Sequence, residues 1–211
     1  MAQNRAKRAK KVKQRRNSSK VASQNIPENL QVLLSQAMKS HQAGLLDQAI
    51  LSYRQVLELM PSYADANHLL GVALHQSGEP EEAVGLIKKA INSVPGRPAF
   101  HSNLGNALRD MECWEEAITS FRKTLVLDPQ YAIAHVNLGN ALDQMGRYDE
   151  SSLHLLKALK VNPNLPETHN NVGLMYHEGQ KLLDEAIVSF TKALYLIPRF
   201  SGGTLQPWQC L

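Results

Sequence analysis

Prolines recur along this chain at a nearly constant interval. Four successive prolines are each 34 residues apart and a fifth follows after 35, giving the series Pro61, Pro95, Pro129, Pro163 and Pro198. Proline has no backbone N–H and its ring clashes with the preceding turn, so each one blocks the continuation of a helix. A fixed interval of this length predicts a repeated unit that buries its apolar face only by stacking on its neighbours.

Two further series of residues keep the same period. Small residues recur in the first half of each unit, as Ala37, Gly71, Gly105, Gly139 and Gly173, and large apolar residues in the second half, as Tyr53, Ile87, Phe121, Leu155 and Phe190. Glycine in a helix interior costs about 1 kcal/mol relative to alanine, so the small series indicates close approach of two helices. The large residues are expected to pack into the next unit.

The ends of the helices are also marked. Gly44, Gly78 and Gly146 lie where the first helix of a unit must end in a left-handed residue, and Glu112 takes this place in the third unit. The fifth unit has one extra residue, which we place near residues 179–181 in the turn between its helices. The pattern predicts ten helices, at residues 30–43, 46–59, 64–77, 80–93, 98–111, 114–127, 132–145, 148–161, 166–179 and 183–196.

The unit length and its small and large series resemble the tetratricopeptide repeat (TPR), matched five times over residues 30–200. The resemblance implies an all-α, right-handed superhelical solenoid of five helix-turn-helix units, with the first helices lining the concave side. We expect residues 1–29 to be a basic disordered extension and residues 201–211 an irregular tail.

The composition argues against several classes of protein. No run of 18 apolar residues is present, so no membrane span is expected, and no apolar stretch that would make a secretory signal follows the basic start. Cys113 and Cys210 are too few for a disulfide framework and lack metal-ligand spacing. No phosphate-binding loop or catalytic triad spacing occurs. We expect a cytoplasmic protein that is not an enzyme and has no metal or cofactor.

The charge is concentrated at the N-terminus. Residues 1–20 carry nine basic and no acidic residues, whereas the rest of the chain carries 14 of the 23 basic residues and all 19 acidic ones. Such a run is typical of a solvated tail, of contact with nucleic acid or an anionic surface, or of a nuclear address. The run contains Arg5, Lys7, Arg8, Lys10, Lys11, Lys13, Arg15, Arg16 and Lys20.

Histidines at one register raise the question of a metal site. His101, His135 and His169 are one unit apart, and packed helices lie about 8–10 Å apart, too far for their nitrogens to share a zinc ion. We expect these three side chains to pack inside the repeats. His68, His75 and His177 are predicted to face the groove.

Asparagines recur on the first helices of units three to five. Asn103, Asn137 and Asn171 share one register, and Asn106 and Asn140 follow one turn later on the same face. An amide side chain offers both a donor and an acceptor, which match the C=O and N–H of an extended peptide. The alternative is that these side chains are hydrated or bond to one another between neighbouring helices.

This row narrows the resemblance. Protein O-GlcNAc transferases and their bacterial relatives have similar repeats with an asparagine ladder for substrate polypeptide, which Asn103, Asn137 and Asn171 match, whereas Ser35 and Leu69 occupy the register in units one and two. Similar repeats also precede sulfotransferase and other glycosyltransferase domains, and no catalytic domain fits in the remainder of this chain.

A second repeat subclass binds the acidic C-termini of heat-shock chaperones through a clamp of lysine, asparagines and arginine. Asn106 and Asn137 match the clamp asparagines, but its lysine positions hold Ser102 and Glu167 and its arginine position holds Asn171. Because Glu167 would repel a terminal carboxylate, we do not expect this function.

The leading hypothesis is a scaffold that binds an extended polypeptide of a partner protein in the concave groove. The asparagines would bind its backbone, and Arg109, Asp143 and His177, which share a register, would select side chains. The alternatives are the substrate-recognition arm of a glycosyltransferase and tethering to nucleic acid or an anionic surface through the basic tail. Because Gly202, Gly203 and Pro207 oppose a further helix, we also expect self-association through an uncovered last helix.

Overall fold

The computed structural model of the chain describes residues 28–179 and 182–196. Its described part is helical and contains no strand. Ten α-helices follow one another: α1 (Glu28–Gln42), α2 (Leu46–Leu59), α3 (Ala64–Gln76), α4 (Pro80–Ser93), α5 (Pro98–Asp110), α6 (Trp114–Leu127), α7 (Ala132–Gln144), α8 (Tyr148–Val161), α9 (Pro166–Leu174) and α10 (Leu183–Leu196). These bounds confirm the predicted helices to within a few residues. The expectations for residues 1–27 and 197–211 lie outside the described residues.

The chain divides into two compact units, residues 1–61 and 62–211. In the first, α1 packs against α2 around Leu30, Ala37 and Tyr53, which are buried. Burial raises the pKa of Tyr53 to about 12. None of the described helices is long and apolar enough to cross a membrane.

In the second unit each helix packs against the next one along the chain, from α3 to α10. One continuous apolar core extends from α4 to α7 and includes Ile87, Leu108, Ile118, Phe121 and Leu138. The core is thus shared between successive helix pairs, which confirms the prediction of an all-α stack stabilised by contacts between neighbouring repeats.

The glycine series lies where two helices of one repeat touch. A methyl group added at Gly105 would lie 2.4 Å from a ring carbon of Phe121, and one at Gly173 would lie 2.6 Å from the ring of Phe190. At Gly139 the nearest atom would be Cγ of Leu155, at 2.8 Å. The predicted close approach is confirmed, and each large residue lies against the glycine of its own unit. Ile87 and Phe121 also belong to a core that includes apolar residues of the next unit.

The first helices end as predicted. Gly44, Gly78 and Gly146 have φ values of 74°, 90° and 70°, and Glu112 adopts the same left-handed region with φ 58°. A residue with a Cβ costs about 1–2 kcal/mol in this conformation, yet the third repeat keeps the turn.

The fifth repeat ends its first helix differently. After α9 the chain continues as a π-helical turn, Met175–Gly179, and the N–H of Leu182 donates to the carbonyl of Tyr176 at 2.8 Å, six residues back. In the fourth repeat the equivalent bond runs only five residues back, from Arg147 to Leu142 at 2.9 Å. The extra residue therefore lies between Tyr176 and Leu182, and the wider π turn is part of its accommodation.

The glycine contact predicts opposite effects for the same substitution at two sites. Gly105→Ala should lower the free energy of unfolding by about 1–3 kcal/mol, because Phe121 is fully buried and its ring has no room to move. Gly85→Ala, in α4, adds a methyl group with nothing within 4 Å and should raise stability by about 1 kcal/mol through helix propensity.

Urea unfolding followed by circular dichroism measures both effects. If the Gly105→Ala chain is as stable as the Gly85→Ala chain, close contact between helices is not the reason for the glycine series.

Candidate functional site

The asparagines of neighbouring repeats bond to one another. Asn137 Nδ2 donates to Asn106 Oδ1, and Asn171 Nδ2 donates to Asn140 Oδ1, both at 2.8 Å. Each bond joins the first helices of successive repeats, α5 to α7 and α7 to α9. Of the alternatives left open by the sequence, bonding between neighbouring helices is therefore present in the structure.

Asn103 makes a different contact. Its Nδ2 donates to His68 Nε2 at 2.8 Å, because the second repeat has Val72 where an amide partner would stand. His68 also stacks on Phe100, with ring centroids 4.3 Å apart. The prediction that His68 faces the groove is wrong: the side chain is 9% exposed, and burial lowers its pKa to about 4.

The amide pairs differ in their access to solvent. Asn137 is only 9% exposed, whereas Asn140 and Asn171 are half-buried. An asparagine side chain has two N–H donors and a carbonyl with two acceptor positions, and one bond between two amides uses one of each. The Asn140–Asn171 pair therefore keeps the capacity to bind a further peptide group.

A cleft of about 590 Å³ lies beside this pair. We call it the α5–α9 cleft; it is lined by Arg109, Trp114, Asn140, Asp143, Gln144, Tyr148, Leu155, Asn171, Leu174 and Met175. Four of the predicted groove residues, Arg109, Asn140, Asp143 and Asn171, are thus brought together. The others, Asn103, Asn106, Asn137 and His177, are not part of its lining.

Arg109 is fixed at the cleft by its neighbour. Its Nε and Nη2 donate to Asp110 Oδ1 at 2.9 and 2.8 Å, and His75 Nε2 lies 2.7 Å from Asp110 Oδ2. Burial raises the pKa of the Asp110 carboxyl, but its hydrogen bonds with Arg109 and His75 outweigh this and leave the pKa below its usual range. The guanidinium therefore faces the cleft with its charge compensated.

The aromatic and apolar residues of the lining were not predicted to belong to a site, because in a sequence they resemble residues of the core. Trp114 and Tyr148 are 34 residues apart and begin α6 and α8, where the other repeats have Leu46, Pro80 and Leu183. That pair of aromatics, limited to the two repeats at the cleft, was the signal that could have found them.

The histidine series packs inside the repeats as predicted. His101, His135 and His169 are 6–7% exposed, and each Nε2 lies 2.9–3.2 Å from the carbonyl of the proline six residues before it. Within the described ranges, no three side chains of His, Cys, Asp or Glu are grouped to hold a metal ion.

Models of known protein families match most of the sequence of this chain. The tetratricopeptide repeat model matches residues 40–106, and the TPR repeat model matches residues 105–146 and 139–179. The chain belongs to the tetratricopeptide-repeat family. The TPR matches together span well over half of the 211 residues. Comparison with curated protein sequences gave no match.

Solved TPR structures share the fold. MamA is 29% identical with a TM-score of 0.69, over 76% of this chain and 93% of MamA. PilF of Pseudomonas aeruginosa is 23% identical with a TM-score of 0.72, over 81% of this chain and 78% of PilF. YrrB, described as a TPR protein with an unusual peptide-binding site, is 21% identical with a TM-score of 0.64, over 79% of this chain and 86% of YrrB.

The buried His68 predicts a dependence of stability on pH. Because its pKa is about 4 in the folded chain and near 6.5 when unfolded, only the unfolded chain takes up the proton between these values. The free energy of unfolding should therefore fall as the pH falls, by about 1–2 kcal/mol between pH 7 and pH 5 for this residue.

His68→Gln keeps an acceptor for Asn103 and removes the titration, so urea unfolding at the two pH values should show a smaller difference than in wild type. Burial also lowers the pKa of His154 to about 4, so this residue should still contribute to the pH dependence of stability in the variant. An unchanged pH difference in His68→Gln would contradict the assignment.

Proposed function

We propose that this chain is a protein-interaction scaffold that binds an extended segment of a partner polypeptide in the α5–α9 cleft. The observation that carries the proposal is the Asn140–Asn171 pair at the cleft, because its amides are already held in place by a 2.8 Å bond and match the groups of a peptide backbone. Side chains fixed before binding lose less conformational entropy when a ligand arrives.

Membership of the TPR family supports a partner that is a protein or peptide. YrrB, which is similar in fold, is described as having a peptide-binding site, although its identity of 21% supports the likeness of fold alone. The size of the cleft, about 590 Å³, is in the range of ligand-binding pockets.

The substrate arm of an O-GlcNAc transferase-like enzyme is the second candidate, and the register of Asn103, Asn137 and Asn171 favours it. In that case the same groove would serve a catalytic domain elsewhere in the protein or on another chain. A nucleotide-sugar-binding domain encoded next to these repeats in the intact gene distinguishes it from a scaffold.

The other expectations remain proposals. Three of them rest on the sequence alone. These are the cytoplasmic location, the binding of nucleic acid or anionic surfaces through residues 5–16, and the division of the chain into residues 1–29, 30–200 and 201–211. Self-association is supported by α10, where Ile187 is 61% exposed, whereas Ile118 at the equivalent position of α6 is fully buried.

Peptides selected from a random phage-displayed library on the immobilised chain test the scaffold proposal. Replacing both Asn140 and Asn171 by alanine should weaken the selected peptides by about tenfold or more, because the cleft loses its amides. Removing both members of the pair leaves no orphaned partner, so helicity should be retained.

The matched control replaces Asn92 and Asn164 by alanine, since both are exposed asparagines outside the cleft. Binding can be followed by the fluorescence of Trp114 in a Trp208→Phe background, because the chain has two tryptophans. Equal affinities for wild type and the Asn140/Asn171 variant, or a library that yields no binder, would remove the proposal.

A further inference from the structure

At two positions the fifth repeat differs from the third and fourth repeats, and both lie at the α5–α9 cleft. Leu174 stands where the third and fourth repeats have Asn106 and Asn140, and it is 44% exposed. The amide series therefore stops at the cleft, and an apolar side chain takes the position that would continue it.

Met175 is the second difference. The equivalent residues of the second to fourth repeats, Ala73, Ala107 and Ala141, are fully buried, and a site that encloses alanine has no room for a methionine side chain. At this residue the helix changes from α to π, and Met175 is half-buried and lines the cleft. The irregular helix end thus coincides with an apolar side chain at the cleft.

One lining residue of the cleft is also smaller than its equivalents in the neighbouring repeats. Leu155 lines it and belongs to the large apolar series, in which the repeats on either side have Phe121 and Phe190. Each of these phenylalanines lies on a glycine, as Leu155 lies on Gly139. Of the three, Leu155 is the one whose side chain lines the cleft, where it is 3% exposed and smaller than a phenylalanine.

Aromatic residues border the same space. Tyr148 lines the cleft while 59% exposed, and Trp114 is a half-buried lining residue that packs against the core. Exposed aromatic and aliphatic side chains within a concavity lose contact with water when an apolar group enters, and such positions dominate binding energy at protein interfaces.

We infer that the α5–α9 cleft takes one large apolar side chain, aliphatic or aromatic, of the bound polypeptide, while the Asn140–Asn171 pair binds the backbone beside it. This inference rests on the proposed function and adds the kind of residue that the partner presents. An acidic side chain is disfavoured, because Asp110 already compensates the charge of Arg109.

Two substitutions borrowed from the chain's own repeats test the inference. Leu174→Asn restores the amide of the third and fourth repeats, and Leu155→Phe introduces the side chain that the third and fifth repeats already place on a glycine. Both should lower the affinity for peptides selected on wild type by about tenfold. The first makes the lining of the cleft more polar, and the second fills the cleft. Leu153→Asn is the control, since Leu153 is 52% exposed on α8 and outside the cleft lining.

The peptides themselves give the second measurement. Selected peptides should share one Leu, Ile, Met, Phe, Tyr or Trp whose replacement by alanine costs about tenfold in affinity on wild type, and a smaller factor on Leu174→Asn. Because Leu174 is partly exposed, this variant keeps the test valid if Leu155→Phe fails to fold.

The outcomes separate this inference from the scaffold proposal. The inference would be overturned, and the scaffold proposal kept, if the selected peptides need Asn140 and Asn171 but have no apolar position in common. The same holds if they share a basic residue that pairs with Asp143. Peptides whose binding is insensitive to both the amide and the leucine variants would overturn both.

Discussion

The second unit depends on one contact, in which a large apolar side chain of one helix packs on a glycine of the neighbouring helix. Phe121 on Gly105, Leu155 on Gly139 and Phe190 on Gly173 each bring the two helices of a repeat together. Glycine is unfavourable in a helix, but here its missing Cβ admits a side chain that is otherwise exposed. Repetition of this contact every 34 residues sets the first helices side by side, which is what allows one face of α5, α7 and α9 to form a single cleft.

The repeat made the fold predictable. Prolines, glycines and large apolar residues each recur with a clear physical role, so the helices, their left-handed ends and the glycine contacts followed from the sequence. The π turn did not, because the insertion of one residue has several local solutions and the spacing does not distinguish among them. The contact of each large residue with the glycine of its own unit was not predicted for a related reason, since spacing alone does not tell which packed helices a side chain meets.

The candidate site was predicted only in its polar half. Asn140, Asn171, Arg109 and Asp143 stand out in the sequence because polar residues at a helical register need a reason. Leu155, Leu174 and Met175 resemble ordinary core residues until the structure shows that they line a cleft. The buried position of Asn137 and the pairing of Asn103 with His68 were equally beyond the sequence, because both depend on contacts between repeats.

We propose that recognition occurs where the repeats stop being alike, at a cleft lined by both amide and apolar side chains. A crystal structure of the chain with a selected peptide is the most direct test of that assignment. We predict an extended peptide along α5, α7 and α9, with its backbone bonded to Asn140 and Asn171 and an apolar side chain beside Leu155, Leu174 and Met175. A peptide bound to the outer faces of α6 and α8, with the cleft empty, would contradict the account.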